Sequence, residues 1–458
     1  MTTTQFSSLA LNADMLANLE SLGYNEMTPI QAQSLPIILQ GQDIIAKAKT
    51  GSGKTAAFGI GLLAALDVKI FTTQALVLCP TRELADQVAK EIRRLARFTH
   101  NVKVLTLCGG VSIGPQIGSL ERGAHIVVGT PGRILDHIEK GTLKLGTIKQ
   151  LVLDEADRML DMGFSDSIEA VLAACNTDRQ TLLFSATYPD GIKKISAHCQ
   201  KNPHEVSVEA VHSDANIEQH FYELRETDRK DIAVQQLLAH FNPESAIIFC
   251  NTKILCQEVC DLLRAQGINV LALHGDLEQR ERDQVLVRFS NKSCPVLIAT
   301  DVAARGLDVK GLGAVINVEL AHDSEVHIHR IGRTGRAGDS GLALTLVAHN
   351  DMTRLNRLAD YLQKTITLED LPKTNNVIDI KPDMVTLCLD GGKKEKVRPG
   401  DILGALTKDA GLSGDKIGKI DIFEFASYIA VHHTIARQAL QHLQDGKIKG
   451  RKFRARKL

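Results

Sequence analysis

Along the first two thirds of the chain, short apolar and β-branched runs recur at intervals. Each is followed at once by small or polar residues and then by a helix-like stretch. Residues 75–79 precede Pro80-Thr81-Arg82-Glu83, and residues 126–128 precede Thr130-Pro131-Gly132-Arg133. Residues 151–153 precede Asp154-Glu155-Ala156-Asp157, and residues 182–184 precede Ser185-Ala186-Thr187. Short apolar runs without alternation read as strands buried on both faces, and strand–helix alternation predicts a parallel α/β sheet. The pattern starts again with residues 246–249, 270–273, 296–299, 314–318 and 342–347. Two α/β lobes are therefore predicted, over 1–207 and 218–365, with a join at 203–218. The periodicity fails over 365–381, where Leu371-Pro372-Lys373-Thr374-Asn375-Asn376 reads as a linker. A small α+β domain follows over 381–458, in the order β (385–389), α (399–410), β (417–422), β (427–431), α (432–443), β (452–456).

Composition adds two points. The 458 residues suit two to three domains. Formal net charge is zero over the whole chain, yet residues 381–458 carry 16 Lys and Arg against 9 Asp and Glu. A basic C-terminal unit on an acidic remainder predicts RNA or another polyanion as its partner, above all at 447–457. No apolar run approaches the roughly 18 residues that span a bilayer, and residues 1–10 are polar, so a cytoplasmic protein without a membrane partner is expected. The nine cysteines are scattered with no C-x-x-C pair. Cys256 and Cys260 lie one helical turn apart and are expected to be buried thiols rather than metal ligands. His432-His433 are adjacent, point to different faces and suggest no metal site.

The chemistry concentrates at the ends of the apolar runs, where parallel sheets bind their ligands. Ala48-Lys49-Thr50-Gly51-Ser52-Gly53-Lys54-Thr55 ends in the Gly-Lys-Thr of a P-loop, with Ala48 where the general pattern has its first glycine. Such a loop turns backbone N–H groups of Thr50, Gly51, Ser52 and Gly53 toward phosphate oxygens at a helix N-terminus. Lys54 is expected on the β- and γ-phosphates, with the Thr55 hydroxyl on Mg²⁺. Asp154 ends an apolar strand, as a Mg²⁺-holding carboxylate should, and Glu155 beside it can polarise an attacking water.

Asp154-Glu155-Ala156-Asp157 spells DEAD, and more than ten motifs in order resemble the DEAD-box RNA helicases over residues 6–345. The resemblance implies two RecA-like lobes, with ATP and Mg²⁺ as cofactors. Gly23-Tyr24 with Thr28-Pro29-Ile30-Gln31 looks like the family's Q motif. That match implies that Gln31 reads the adenine edge, with Phe6 packing on the base and Tyr24 part of the same site. Pro80, Thr81, Arg82, Gly110, Thr130 and Arg133 match first-lobe motifs that hold the RNA backbone without reading sequence. Ser185 and Thr187 match the motif coupling the ATP site to unwinding. In the second lobe Gln279-Arg280-Glu281-Arg282 matches a further motif. Thr300 and Gly306 would hold RNA, and Asp308 would touch the ribose. In His329-Arg330-Ile331-Gly332-Arg333-Thr334-Gly335-Arg336, His329 would couple, and Arg333 and Arg336 would be arginine fingers, so hydrolysis would need both lobes.

The C-terminal order is that of an RRM. It lacks the aromatic-rich RNP1 consensus, having Phe425-Ala426-Ser427-Tyr428-Ile429-Ala430-Val431 instead, so binding is expected through basic loops: Lys447, Lys449, Arg451 and Lys452. The whole chain resembles the bacterial DbpA group, which implies a 23S ribosomal RNA hairpin as target, a large ribosomal subunit precursor as partner and action as a monomer. The reading is an ATP-dependent RNA helicase that opens structured RNA locally. An ATP-gated RNA clamp with little unwinding shares all these motifs and stays open. A DNA helicase is disfavoured by the Q motif and the last motif.

Overall fold

The computed structural model describes residues 4–48, 51–188, 190–208, 217–304, 311–335, 341–374, 376 and 378–458. It divides into two compact units, Met1–His212 and Ser213–Leu458.

The first unit is built on seven parallel strands: β1 (Ile44–Lys47), β2 (Ala75–Leu78), β3 (Val104–Leu107), β4 (Ile126–Gly129), β5 (Gln150–Asp154), β6 (Gln180–Ser185) and β7 (His204–Ser207). Their order across the sheet is β3-β4-β2-β5-β6-β1-β7. The central strands β2, β4, β5 and β6 are buried on both faces, which is why their sequences are continuous apolar runs. Helices cover both faces. The helix Arg82–Leu95 shows how one is made: Leu84, Ala85, Val88, Ala89, Ile92 and Leu95 recur at helical spacing and are buried. The Thr81 hydroxyl caps its start by accepting from Leu84 N. Each such buried Leu, Val or Ile is worth about 1.5–3 kcal/mol relative to exposure.

The second unit repeats the plan with β8 (Ile217–Leu224), β9 (Ala246–Cys250), β10 (Val270–Leu273), β11 (Val296–Thr300), β12 (Ala314–Asn317), β13 (Gly341–Ala348) and β14 (Leu368–Glu369). The order is β10-β11-β9-β12-β13-β8-β14, again parallel. Cys256 and Cys260 are fully buried in its core, where burial pushes both thiols upward, to about 12 and about 11.

Two expectations are corrected here. The stretch 203–218 is not only a join: its first part is β7, an edge strand whose sole buried residue is Val206, and its end begins β8. Nor is 365–381 a free linker. Leu368 and Glu369 pair with Phe221 and Tyr222 of β8, and Leu371, Ile378 and Ile380 pack on the second core. The chain is held down by pairing and by apolar burial that its Pro- and Asn-rich composition conceals.

A four-stranded antiparallel sheet completes the second unit: β15 (Met384–Leu389), β16 (Ile417–Ile422), β17 (Ser427–His432) and β18 (Ala455–Lys457), in the order β16-β17-β15-β18. The helices Pro399–Gly404, which runs on into a wider turn over Ala405–Asp409, and Ala436–Asp445 cover one face. Leu387, Leu389, Ile429 and Val431 meet Ile402, Leu406, Ala439 and Leu443 there. The opposite face is covered in part. Cys388 and Tyr428 pack against Val287 of the helix Gln279–Ser290. Behind it, the Thr386 hydroxyl lies 2.8 Å from Asn291 Nδ2 and 2.6 Å from Ser293 Oγ, all three residues buried.

Candidate ATPase site and RNA-binding surfaces

In the first unit the predicted nucleotide residues gather at the carboxyl ends of β1, β5 and β6. Gly51 and Gly53 both have positive φ, 83° and 98°. At Gly53 a Cβ would also lie 2.6 Å from Gln31 Nε2 and 2.8 Å from Thr28 Oγ1, so conformation and space both require glycine. Gln31 explains that closeness. Its Oε1 accepts from Thr28 N at 2.9 Å, and its Nε2 donates to Gly53 O at 3.1 Å. Among the described residues these bonds leave one N–H and one lone pair on the amide, the pair that a bidentate contact with adenine uses.

Lys54 is buried and donates from Nζ to Ala48 O at 2.9 Å. Asp154 lies at the end of β5. Burial raises its carboxyl above the ordinary range, and the Lys54 ammonium pulls the other way. Its Oδ1 is buried with no hydrogen-bond partner among the described residues. A buried carboxylate oxygen left without a donor, with the Thr55 hydroxyl in the first turn of the helix Lys54–Ala64, is a donor set that fits a hard cation such as Mg²⁺. Glu155 adopts the left-handed conformation at φ 52°, sparsely used by residues other than glycine. Its Oε2 pairs with Arg158 Nη1 at 2.8 Å, both side chains buried.

Sequence reasoning missed Asp157. Its Oδ2 accepts from Ala186 N at 3.2 Å and from Thr187 N and Thr187 Oγ1, each at 2.9 Å. Burial works against the charge, but these bonds from Thr187 prevail and hold the carboxyl below its usual range. The segment Asp154–Asp157 is thus tied directly to Ser185–Thr187. Phe6 and Tyr24 are found among core side chains. Phe6 is buried edge-on to Tyr24, whose hydroxyl donates to Glu91 Oε1 at 2.5 Å while Arg94 lies over its ring. Both have a packing role that the motif did not reveal.

The predicted RNA-backbone residues cluster at the ends of β2, β3 and β4. Thr81 and Thr130 stand at helix starts, Gly110 has φ 74°, and Pro80 is buried. Arg82 Nη1 is buried without a partner among the described residues. Arg133 is held from three sides, donating to Asp136 Oδ2 at 3.2 Å, Gln116 Oε1 at 3.1 Å and Val111 O at 2.9 Å.

In the second unit Thr300 ends β11, and His329 lies on the helix Ser324–Ile331, with the buried Arg333 two residues beyond its end. The motif spells Arg330 without giving it a role, yet this is the unit's principal staple. It is fully buried and grips Asp301 with Nε at 2.7 Å and Nη2 at 2.6 Å. It also donates to Asn251 Oδ1 at 2.7 Å and Glu319 O at 2.9 Å, and stacks over Phe249. Three strand ends are thereby fixed together. Arg282 Nη2 donates to Ala303 O at 2.7 Å, joining the Gln279–Arg282 motif to the segment after Thr300. Thr50, Gly306, Asp308 and Arg336 lie outside the described residues.

Lys447, Lys449, Arg451 and Lys452 are exposed on the turn before β18. Lys449 Nζ is engaged, donating to Lys396 O and meeting Asp401 Oδ2, each at 3.0 Å. Lys396 itself belongs to a second basic loop carrying Lys393, Lys394 and Arg398. The two loops therefore form one basic rim. Val287 covers the Cys388 and Tyr428 part of the helix-free sheet face, and this rim gathers the exposed lysines and arginines of both loops.

Comparison with known proteins agrees with this arrangement. Residues 28–195 match the DEAD/DEAH box helicase family, 228–338 the helicase conserved C-terminal domain and 386–457 the DbpA RNA binding domain. The chain is 54% identical to the ATP-dependent RNA helicase DbpA of Escherichia coli K12 over 456 residues, covering 99% of this chain and 100% of that one. It is 37% identical to the DbpA helicase of Bacillus subtilis, with 99% of each chain covered. Among solved structures, S. cerevisiae Dbp5 bound to RNA and ADP BeF3 is similar with a TM-score of 0.72 at 31% identity, over 80% of this chain and 96% of that one.

Proposed function

Because the chain belongs to the DEAD-box ATP-dependent RNA helicases, with an RNA-binding domain of the DbpA type, we propose that its unwinding is directed at a 23S ribosomal RNA hairpin region during assembly of the large ribosomal subunit. The observation that carries this reading is the C-terminal basic rim, presented at the edge of a sheet whose other face is partly covered by the helix Gln279–Ser290. A reader of that shape grips a structured RNA from its backbone and leaves strand opening to the motor. The expected setting is the cytoplasm, where ribosomal precursors are assembled.

In the motor, Lys54 holds the β- and γ-phosphates, and Gln31 selects adenine with its remaining N–H and lone pair. Bound Mg²⁺, held by Asp154 and Thr55, supplies the charge neutralisation that phosphoryl transfer needs. Glu155 orients the attacking water. Arg333 and Arg336 stabilise the transferring phosphate, so turnover requires both units, and Asp308 holds the ribose. Pro80, Thr81, Arg82, Gly110, Thr130, Arg133, Thr300 and Gly306 hold single-stranded RNA. The Asp157–Thr187 link gives the coupling role of Ser185 and Thr187 a physical route, and His329 serves the same end.

The test is steady-state ATP hydrolysis with no RNA, generic single-stranded RNA and a 23S fragment, each for the full chain and for a truncation at Thr374. Strong stimulation by the 23S fragment alone, lost on truncation, is expected. Equal stimulation by all RNAs would remove the ribosomal target and leave the motor. Strand displacement on a short duplex joined to the hairpin separates this reading from a clamp that hydrolyses ATP without opening the duplex.

A further inference from the structure

We infer that Gln116 and His137 are positioning residues for RNA binding, joining the Gly109-Gly110 loop to Arg133 through one half-buried amide. The inference rests on the proposed RNA-backbone role of Gly110 and Arg133. Neither Gln116 nor His137 belongs to a motif assigned to RNA or nucleotide.

Gln116 lies on the helix Gly114–Leu120, between the two segments. Its Nε2 donates to Cys108 O at 2.9 Å, the carbonyl immediately before Gly109. Its Oε1 accepts twice, from Arg133 Nη1 at 3.1 Å and from His137 Nε2 at 3.0 Å. The opposite amide orientation would set oxygen against the Cys108 carbonyl and N–H groups against two donors, so the network fixes it. Arg133 closes the ring from the other side by donating to Val111 O, just after Gly110.

His137 makes the arrangement one-directional. It is wholly buried, one helical turn beyond Arg133. To donate from Nε2 it carries its proton there, which leaves Nδ1 as an acceptor 2.8 Å from the Thr142 hydroxyl, whose one proton is shared between Nδ1 and His137 O at 3.1 Å. Burial, and after it the nearby Arg133 guanidinium, lower its pKa and favour this neutral form. Structure alone does not require so polar a centre, since apolar side chains would fill the same space without desolvating four polar groups. What the centre achieves is to fix the side of Arg133 that faces the protein. Three of its five N–H directions are used, and among the described residues two remain for a phosphate.

The test is a double-mutant cycle on RNA affinity, read from the RNA concentration giving half-maximal ATPase and from direct titration of single-stranded RNA. Gln116→Ala is expected to weaken RNA about tenfold, with fluorescent-ADP affinity and Tm close to those of the parent. The salt dependence of log K should flatten by ~0.7, the loss of one backbone contact. Arg133→Ala should show the same flattening, and Gln116→Ala in that background should add less than about twofold. His137→Leu should reproduce the loss, and His137→Gln, which restores an N–H near the Nε2 position, should recover most of it. Full additivity of Gln116→Ala and Arg133→Ala, or a Gln116→Ala loss confined to Tm and ADP affinity, would overturn the positioning role. If Arg133→Ala alone leaves RNA affinity intact, the RNA-motif reading itself falls, and this inference falls with it.

Discussion

The four carboxylate and arginine positions around the DEAD segment show how side-chain partners divide one motif into separate tasks. Among the described residues Asp154 keeps an oxygen free at a buried strand end, Glu155 is held by Arg158, and Asp157 is bound by Thr187. Glu155→Gln is therefore expected to bind ATP normally while turnover falls roughly 10²–10⁴-fold, measured by nucleotide titration beside steady-state hydrolysis. Near-normal turnover would remove Glu155 from the chemistry. His327 supplies a second residue-scale prediction. Burial, and after it Arg330, hold its pKa down near about 3. The unfolded chain then takes up a proton near pH 6.5 that the folded chain refuses, so stability is complete above that value and falls as the pH drops. The loss is about 1.4 kcal/mol for each pH unit between about 6.5 and 3. Urea unfolding at pH 7 and pH 5 should show this slope in the parent and a shallower one in His327→Phe. At this scale the sequence displayed residues whose chemistry is contained in a local string, such as Lys54 or Gln31. It hid Asp157, Arg330, Gln116 and His137, because each has at least one decisive partner 17 to 79 positions away.

Among elements, the strands buried on both faces were legible because burial forces continuous apolar runs. The edge strands β7 and β14 were not, although β10, an edge strand buried throughout, was. β7 is His-Glu-Val-Ser with one buried side chain, and β14 is two residues long. An edge strand needs only its backbone for pairing, so its side chains carry little signal. The helix Gln279–Ser290 was read as a motif carrier alone. Its far end in fact closes the sheet face of the C-terminal domain, and no periodicity announces which helix face meets another domain. Thr386→Val should remove the hydroxyl shared by Asn291 and Ser293 and leave buried donors unsatisfied. A loss of about 1–3 kcal/mol is expected, together with faster reaction of the buried Cys388 thiol, followed by mass spectrometry of its peptide. Unchanged Cys388 protection would mean that this contact does not hold the domain.

For the molecule as a whole, the basic domain is a structural part of the second unit as well as its RNA handle. Deleting residues 381–458 uncovers Val287 and the polar residues behind it. The truncated motor is accordingly expected to unfold at lower temperature in its second unit, beyond any change in RNA preference. Differential scanning calorimetry with and without RNA separates the two effects. Substituting Val287→Ser in the truncated chain should reduce its aggregation, because the exposed apolar contact is then gone.

The anchoring of the stretch before β15 sets the length of a leash. Ile380 is buried in the second core, and β15 begins at Met384, so only residues 381–383 are left to span the gap. The four steps from Ile380 to Met384 reach about 14 Å at most. An RNA held by the C-terminal domain is thereby confined to a small volume beside the second lobe, and its effective concentration there is set by geometry rather than by the amount of RNA in solution. Lengthening this leash with flexible Gly-Ser residues, in a chain whose docked sheet face is loosened by Thr386→Val, would dilute the captured RNA, turning a tethered substrate back into one that must be found by diffusion.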